Sequence, residues 1–440
     1  MTFRTFATIT ISLATALFAQ TETAQFVPFK DFLASTKAPN AHLMTRANSR
    51  VRDSKRFEEM RKHVTSMYDG VRVTHSFMRH SSTFDCVPVE DQPSARLLKG
   101  KALADAPPMS MLEGHAVDGE GSGQFASKSG SQDAENATDD FGNATACEDK
   151  TFPMRRITLE EMTQFPTLQD FFAKKPEGAA STRGPVDEVA PATGAAHKYA
   201  HMWQFVNNLG GNSSINLQRP YVNTYLGQIF SLNQQWYVGG SGASTQTVEV
   251  GIQNYPGKYG DQNSRLFIYY TADNYSHTGC YNHDCAAFVQ TNNTYTMGGG
   301  FANYSVAGGA QYDYAFQFRL YNGNWWLAVQ GNWVGYYPGA LFNGGQLTRF
   351  AQRIDYGVET VGGTNWPGAG SGYWGTAGWD YAAYHRNIYY LNLSSVSVWA
   401  SLTPVQSSPA CYNTAGPYNS SSSGWAVYFY AGGPGGSNCQ

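Results

Sequence analysis

The sequence carries little charge, and its C-terminal half is almost without lysine and glutamate. Charged residues make up 14% of the 440 residues, and the formal net charge is −3. About a quarter is usual for soluble domains. From residue 198 onward the only lysines are Lys198 and Lys258, and the only glutamates are Glu249 and Glu359. This balance excludes the basic footprint of a nucleic-acid-binding protein, so we expect no nucleic-acid partner.

The C-terminal half also lacks the common hydrolase motifs. It has no GxSxG nucleophile elbow and no HExxH zinc motif, and its histidines have no recognisable serine or cysteine partner. We therefore expect neither a metal nor a cofactor. The remaining candidates for acid–base chemistry are carboxylates.

Long hydrophobic runs are missing as well. The apolar run Ile9–Phe18, preceded by Arg4, is too short to span a bilayer and has the pattern of a signal peptide. We expect residues 1–19 to be the signal peptide, with cleavage after Ala19 or Ala24. The rest is then a secreted, extracellular protein that needs no membrane partner.

The six cysteines are even in number, which favours disulfides in an exported chain. Order and position along the chain favour the pairs Cys86–Cys147, Cys280–Cys285 and Cys411–Cys439. Six cysteines allow 15 connectivities, so the sequence alone leaves the pairing open.

Composition changes sharply near His197, since most of the charge lies before it. We predict a smaller mixed α/β pro-domain over residues 20–173 and an all-β domain over residues 197–440. Residues 174–196 between them are rich in Pro, Gly and Ala and lack hydrophobic periodicity. They are typical of an exposed linker, where proteolytic processing concentrates.

The N-terminal half contains two helical patterns. Ser54–Met67 has apolar residues at helical spacing, and Thr158–Phe172 begins with Thr158 and Glu161, which favour a capping box. Gly114–Gly142 is rich in Gly, Ser, Asp and Asn, and is predicted to be a loop.

The C-terminal half contains many short β patterns separated by turn residues. This combination predicts an antiparallel β-sandwich, jelly-roll-like in its connections. The clearest predicted strands are Gln246–Gln253, Arg265–Thr271, Ala286–Gln290, Tyr312–Leu320, Trp325–Gln330 and Arg353–Val361.

Both glutamates of this half lie inside β patterns. In Thr247–Gln253 the apolar residues alternate with Glu249, and in Ile354–Thr360 they alternate with Glu359. Period-two alternation puts each glutamate on the polar face of its strand. A lone strand carboxylate is usually solvated surface or part of an ion pair, but two of them in a half that otherwise avoids glutamate are candidates for a site.

Several long segments resemble the neprosin family. The resemblance is carried by Val248–Asn292, Gly323–Phe342, Ile354–Gly363, Phe84–Leu98, Cys147–Met162 and His197–Met202. It implies a glutamic peptidase with a β-sandwich catalytic domain, a pro-region, and Glu249 and Glu359 as the catalytic pair. It also implies cleavage after proline at acidic pH, so peptide or protein substrates containing proline are the expected partners.

The sequence departs from the family pattern near its second glutamate. Asp355–Val358 replaces the usual Trp-rich stretch, and Asn365–Tyr373 is inserted after Glu359. Both changes would alter the substrate pocket and with it the proline preference, and the sequence assigns no substrate-binding residue.

Two carboxyls that face one cleft can divide acid and base roles, because one stays protonated while the other is ionised. We expect a secreted acid endopeptidase that is made as a zymogen, with the pro-region as its intramolecular inhibitor. Acid is expected to loosen the pro-region, and cleavage within Lys174–Ala196 to release the enzyme.

Alternatives remain. His277, Cys280, His283 and Cys285 have the residue types of a zinc site, although the exported context and the resemblance favour a Cys280–Cys285 disulfide. The aromatics Trp325, Trp326, Trp333 and Tyr336 suit either packing or a sugar platform. A carbohydrate-binding or glycoside-hydrolysing sandwich is therefore the main alternative, and a surface-interaction module that keeps its pro-region is a weaker one.

Overall fold

The computed structural model describes residues 25–38, 40–112, 125–132, 138–174, 197–422 and 424–439. The predicted signal peptide lies outside these residues, as does the predicted linker apart from Lys174. No helix among the described residues is long and apolar enough to cross a membrane.

The N-terminal part combines helices with a small sheet. Its helices are α1 (Phe29–Lys37), α2 (Ser54–Tyr68), α3 (Leu159–Met162) and α4 (Leu168–Phe172). Its strands β1 (Ser76–Arg79), β2 (Ser82–Pro88) and β4 (Thr151–Arg155) form an antiparallel sheet in the order β1–β2–β4. This mixed architecture agrees with the sequence prediction.

Helix α2 follows its predicted pattern closely. The Asp53 side chain caps its N-terminus by accepting a hydrogen bond of 2.6 Å from the backbone N–H of Lys55. Phe57, Met60 and Val64 are buried on one face of the helix, as their spacing predicted.

The second predicted helix is divided into α3 and α4. Thr158 caps α3 by accepting from the Glu161 N–H. The Glu161 carboxylate does not complete the capping box; it pairs with Arg155 at 2.7 Å instead. A buried guanidinium wins this competition because it forms two charge-assisted hydrogen bonds with the carboxylate.

The remaining strands form two larger sheets. Six strands lie in the order β17–β5–β14–β7–β8–β9, and ten strands form the other sheet around the path β10–β13–β12–β11–β6–β15–β19–β18, with β16 on β15 and β3 on β11. The bounds are β3 Ser127–Ser129, β5 His197–Asn208, β6 Gly210–Asn216, β7 Gln228–Gly239, β8 Gln246–Asn254, β9 Arg265–Thr271, β10 Val289–Gln290, β11 Gln311–Tyr321, β12 Asn324–Val329, β13 Asn332–Tyr337, β14 Ala351–Gly362, β15 Ala383–Leu391, β16 Ser397–Trp399, β17 Thr403–Gln406, β18 Asn413–Ser420 and β19 Ala426–Gly432.

Short helical turns connect these strands. The α-helical turn α5 (Pro256–Tyr259) follows β8. The 3-10 turns of the described chain are Ala41–Thr45, Pro93–Leu98, Met109–Leu112, Thr224–Leu226, Gly242–Ser244, Gly339–Phe342, Gln346–Thr348 and Gly375–Ala377.

The two sheets pack face to face, which confirms the predicted all-β sandwich. Val248, Val250 and Ile252 of β8 lie in one hydrophobic core with Phe316 and Phe318 of β11. The alternation in β8 therefore turns Glu249 away from the core, as predicted. Of the six predicted strands, Ala286–Gln290 is the one that shrinks, to the two residues of β10.

The N-terminal part covers both sheets. Its helices share a core with Phe230, Leu232 and Phe267 on the outer face of the six-stranded sheet. Along the other sheet, Ser127–Ser129 pairs in parallel with β11. This strand corrects the prediction that Gly114–Gly142 is only a loop, because the first residues of β11, to which β12 does not extend, supply backbone partners that the sequence pattern did not reveal.

All six cysteines are paired, in the bonds Cys86–Cys147, Cys280–Cys285 and Cys411–Cys439. The zinc alternative is therefore wrong, since both sulfurs of its four-residue set are in a disulfide. The proposed sugar-platform aromatics are also buried, with Trp325 and Trp326 fully inaccessible. Residues of the N-terminal part, Leu103 and Met111 among them, pack against Trp326.

Candidate active site

The two glutamates lie on strands that are separated by one strand. Glu249 of β8 pairs with Trp236 of β7, and Glu359 of β14 pairs with Leu232 of the same strand. The intervening residue on that face of β7 is Gln234, which lies between the two pairs. The three side chains share the outer face of the six-stranded sheet, because residues of like parity point the same way.

Lys174 joins the two carboxylates. Its Nζ atom lies 2.5 Å from Oε2 of Glu249 and 2.9 Å from Oε2 of Glu359, and it donates to Oε1 of Gln234 at 3.0 Å. An ammonium group has three N–H donors, so these three contacts use all of them. The two carboxylates thus converge on one point, and Lys174 occupies it.

This lysine is buried rather than exposed. Only 4% of its surface is accessible, and the two glutamates are at most 1% accessible. The predicted exposed linker is therefore wrong at its first residue. Composition suggested an exposed segment there, but contacts with two carboxylates and an amide oxygen satisfy all three N–H donors and offset the cost of removing the ammonium group from water.

Glu249 has two further hydrogen-bond donors. Its Oε1 atom accepts from Thr247 Oγ1 at 2.8 Å and from Tyr275 Oη at 2.6 Å. Burial and then the neighbouring carboxylate raise the pKa of Tyr275 well above its ordinary value, so the phenol keeps its proton and donates. These contacts fix the orientation of the carboxylate.

Glu359 is held by three donors from different segments. Its Oε1 atom accepts from His197 Nδ1 at 2.6 Å, and Oε2 accepts from Gln234 Nε2 at 3.0 Å and from Lys174. Burial by itself raises the pKa of Glu359, but the Lys174 ammonium and the His197 hydrogen bond outweigh it and lower that pKa to about 2. The carboxyl is accordingly ionised in this state.

The pKa of Lys174 shifts in the opposite direction to that of Glu359. Burial lowers the pKa of its ammonium, but Glu249 and Glu359 overcome this, so the pKa is raised above its usual value. The contacts also fix the Gln234 amide. Lys174 can only donate, so it faces Oε1, which leaves the NH2 group to face a carboxylate that can only accept.

A glycine lies beside Gln234 on the neighbouring strand and keeps the space there open. Gly357 of β14 pairs with Gln234 and has φ +148°. A Cβ atom built on it would lie 2.6 Å from the Ala200 carbonyl oxygen and 2.7 Å from His201 Cβ. A side chain at this position would therefore force the neighbouring strand away from the carboxylates.

The segment that carries Lys174 is anchored just before it. Lys258 donates to the Phe171 carbonyl at 3.1 Å, lies 3.6 Å from the centre of the Phe171 ring, and pairs with Asp284 at 2.7 Å. Arg155 lies 3.3 Å from the same aspartate. Ion pairs and hydrogen bonds thus hold the N-terminal part against the sandwich on the same side as the glutamates.

The sequence predicted the two glutamates but missed their partners. Thr247 shares the strand face of Glu249, so its alternation was a signal. His197 opens one of the segments that resembled the family. Lys174 and Gln234 gave no local signal, since their roles depend on segments that are distant in the chain.

Comparison with known proteins agrees with the sequence resemblance. Residues 227–434 match the protein-family model described as Neprosin, and this range includes Glu249 and Glu359. Among solved structures, the protein described as "CG-16, a homodimeric agglutinin from chicken liver" matches at 8% sequence identity. The match covers 37% of this chain and 92% of that chain with a TM-score of 0.20, and such a low score carries no argument about fold or function.

Proposed function

Because this chain belongs to the neprosin family, whose members are peptidases, we propose that it is a secreted acid endopeptidase of the glutamic type. Glu249 and Glu359 are its catalytic pair, and it is made as an autoinhibited precursor. The observation that carries this proposal is the single atom, Lys174 Nζ, that contacts both carboxylates. A water molecule in the same position would reach both.

The mechanism follows from replacing the ammonium group by water. Once Lys174 leaves, two like charges remain in a buried site, so one carboxyl takes up a proton while the other stays ionised. The ionised carboxylate removes a proton from water as the water oxygen attacks the scissile carbonyl carbon. The protonated carboxyl then donates to the departing nitrogen, and the C–N bond breaks. The two groups titrate as a coupled pair.

Proton transfer of this kind contributes about 10²–10⁴ in rate. Gln234 supports it, because its NH2 group donates to Glu359 and its carbonyl oxygen is released when Lys174 leaves. Tyr275 and Thr247 hold Glu249 in the same way. All five side chains lie on regular strands or are hydrogen-bonded to them, which keeps the geometry fixed before substrate arrives.

Latency is the direct consequence of the Lys174 contacts. The lysine contacts both carboxylates and fills the position of the attacking water, so the precursor has no general base free to act. The chain continues from Lys174 through residues 175–196 to His197, which also binds Glu359. Cleavage within Lys174–Ala196 frees the segment that holds the lysine in place.

A preference for proline rests on the family relationship. Trp236 pairs with Glu249, and Phe267 pairs with Gly251, two residues farther along β8 on the same sheet face. Their rings offer flat apolar surfaces beside the carboxylates, which suit the ring of proline. Trp325 lies in the core of the sandwich, and in the precursor the N-terminal part covers the cluster that contains Trp326, Trp333 and Tyr336, so none of the four presents a sugar platform in this state.

Peptide-mass mapping of a denatured protein at acid pH tests the proposal. The acid-treated wild type should produce cuts that cluster after proline, and Glu359→Gln should produce none. Asp380→Asn is the matched control, because Asp380 lies in the turn before β15 of the other sheet and should leave the cuts unchanged. Equal cutting by Glu359→Gln, or hydrolysis of a glycan in place of peptides, would overturn it.

A further inference from the structure

A second polar group lies farther along the same sheet face. Arg353 and Asp355 precede Glu359 on β14 with the same parity, so all three lie on the outer face of the six-stranded sheet. Asp355 pairs with Trp203 of β5 and with Trp236 of β7. Arg353 is four residues from Gly357, roughly 14 Å along an extended strand. The group is thus separate from the catalytic carboxylates but on the same surface.

The Arg353 guanidinium is buried and only partly paired. It is 1% accessible, and its Nε donates to Asp355 Oδ2 at 2.7 Å. Among the described residues none accepts a hydrogen bond from its Nη1 or Nη2 atoms. The guanidinium stacks over Trp203 at 5.1 Å and lies 5.6 Å from the Phe205 ring. These contacts hold the planar fork in one orientation, which leaves its two outer nitrogens available.

The neighbours of this fork are also short of acceptors. Within the part of the chain that the structure describes, Trp236 Nε1 and both ring nitrogens of His201 are buried without a hydrogen-bond partner. Among the described residues Asp355 Oδ1 is also without a hydrogen-bond partner, and it lies 3.2 Å from His201 Nε2 in a geometry that makes no hydrogen bond. Buried donors without acceptors are costly, so the site favours a ligand that brings oxygen atoms.

We propose that Arg353 forms a substrate subsite that binds a carboxylate of the peptide, about four residues from the scissile bond. This deepens the proposed peptidase function and rests on it. A carboxylate has two coplanar oxygens that match the two outer guanidinium nitrogens, whereas a single backbone carbonyl satisfies only one of them. Asp355 neutralises the arginine and fixes its Nε edge, so the fork faces the cleft.

The carboxylate has two possible sources, an acidic side chain or the C-terminus of the substrate. The test uses the acid-processed full chain and a peptide with one proline. Glutamine residues up to four positions on either side of the scissile bond are replaced one at a time by glutamate. A shortened peptide with a free or an amidated C-terminus forms the second arm. Assays at about pH 5 keep these carboxylates ionised.

We expect glutamate at one of these positions to give a kcat/KM at least 10-fold higher than glutamine there, through a lower KM. If the substrate C-terminus is the source, the shortened peptide with a free C-terminus should show the same advantage over the amidated one. Arg353→Gln should reduce the ratio of kcat/KM for the acidic peptide to that for the neutral peptide to about 1. Arg353→Lys keeps the charge but not the fork, and should retain only a small part of the preference. Arg349→Gln, at an exposed arginine before β14, should behave as wild type.

A binding measurement covers the case in which the arginine variants fail to fold. The Glu359→Gln chain, processed by added wild-type enzyme and then separated from it, should bind the preferred acidic peptide about 10-fold more tightly than its glutamine counterpart by calorimetry. Equal binding and equal cleavage of acidic and neutral peptides by the wild type would overturn the subsite while leaving the peptidase proposal intact. Failure to cleave any peptide would instead overturn the proposed function itself.

Discussion

Glu249 and Glu359 pair with residues four positions apart on β7, and yet their carboxylates meet at one nitrogen atom. The diagonal arrangement places Gln234 between them. It also explains why a single lysine side chain can block both groups at once.

Replacing Lys174 by methionine should make the precursor open at higher pH. The change removes the cation but keeps the length of the side chain, so two buried carboxylates lose their partner. Breaking such a pair typically costs about 3–5 kcal/mol, here from the stability of the closed precursor. The midpoint of acid processing, followed by gel electrophoresis against pH, should rise by at least one unit.

Lys198→Met is the matched control for this change. Lys198 contacts Ser408 and the Trp366 ring and no carboxylate of the pair. The midpoint of acid processing of Lys198→Met should equal that of the wild type. An unchanged midpoint in Lys174→Met would show that the lysine is not what keeps the precursor closed.

The same ion pairs give the precursor a defined pH dependence. The pKa of Glu359 is about 2 in the closed form, below its ordinary value of 4.5. A lowered acid pKa stabilises the closed form fully above the ordinary value, and this contribution is lost as the pH falls from there toward 2.

His63 should add to this effect at a higher pH. Its Nε2 atom donates to the Asp284 carbonyl at 2.8 Å across the interface, near the carboxylate of Asp284 and its partners Arg155 and Lys258. Burial lowers the pKa of His63 from its ordinary 6.5. The closed form therefore binds fewer protons than the open form, and its stability falls as the pH drops below about 6.5.

His63→Gln retains a donor for the Asp284 carbonyl but cannot be charged. The opening midpoint, measured by tryptophan fluorescence during acid titration, should move to lower pH by a few tenths of a unit or more. His42→Gln, at an exposed histidine of the same part, serves as the control. A midpoint that moves upward, or not at all, would contradict a role for His63.

Gln234 should position Glu359 during catalysis. Leucine has a similar size but no NH2 group, so Gln234→Leu removes one hydrogen bond from the ionised carboxylate. A lost donor at such a site typically costs about 10²–10³ in kcat. Gln234→Leu should also raise the pKa of the glutamate pair, so the acid limb of the pH profile of kcat/KM should move to higher pH.

The pH profile separates this role from a structural one, because a loosened cleft would lower activity without moving the limb. Gln228→Leu is the control on the same strand, since Gln228 contacts Asn365 and Trp366 at its start. An unshifted limb in Gln234→Leu would exclude the positioning role.

The Cys86–Cys147 disulfide should matter most for the stability of the N-terminal part. It closes a sequence separation of 61 residues, against 5 for Cys280–Cys285. Chain entropy assigns such a bond about 4 kcal/mol, and the shorter loop about 2 kcal/mol. The double variant Cys86→Ser/Cys147→Ser should unfold this part first in urea.

The paired control is Cys280→Ser/Cys285→Ser, which should have the smaller effect on the unfolding of that part. Limited proteolysis at neutral pH reports the result directly. The opposite order would mean that native contacts, rather than the length of the closed loop, set the contribution of each bond.

Much of the fold was predictable because its signals are local. The alternation around Glu249 and Glu359 predicted which way each points, and the spacing of Phe57, Met60 and Val64 predicted helix α2. Errors came where a distant partner intervened. Ser127–Ser129 is a strand only because it pairs with the first residues of β11. The Glu161 carboxylate pairs with Arg155 instead of completing the predicted capping box.

The strands, the direction of each glutamate and the resemblance to the neprosin family were predictable, because they depend on short periodic patterns and long matching segments. Three features became visible only in the folded chain: the two carboxylates converge, Lys174 occupies the point between them, and Arg353 lies on the same sheet face with unused donors. Strand order and register bring these residues together, and neither is encoded in the spacing of any one segment.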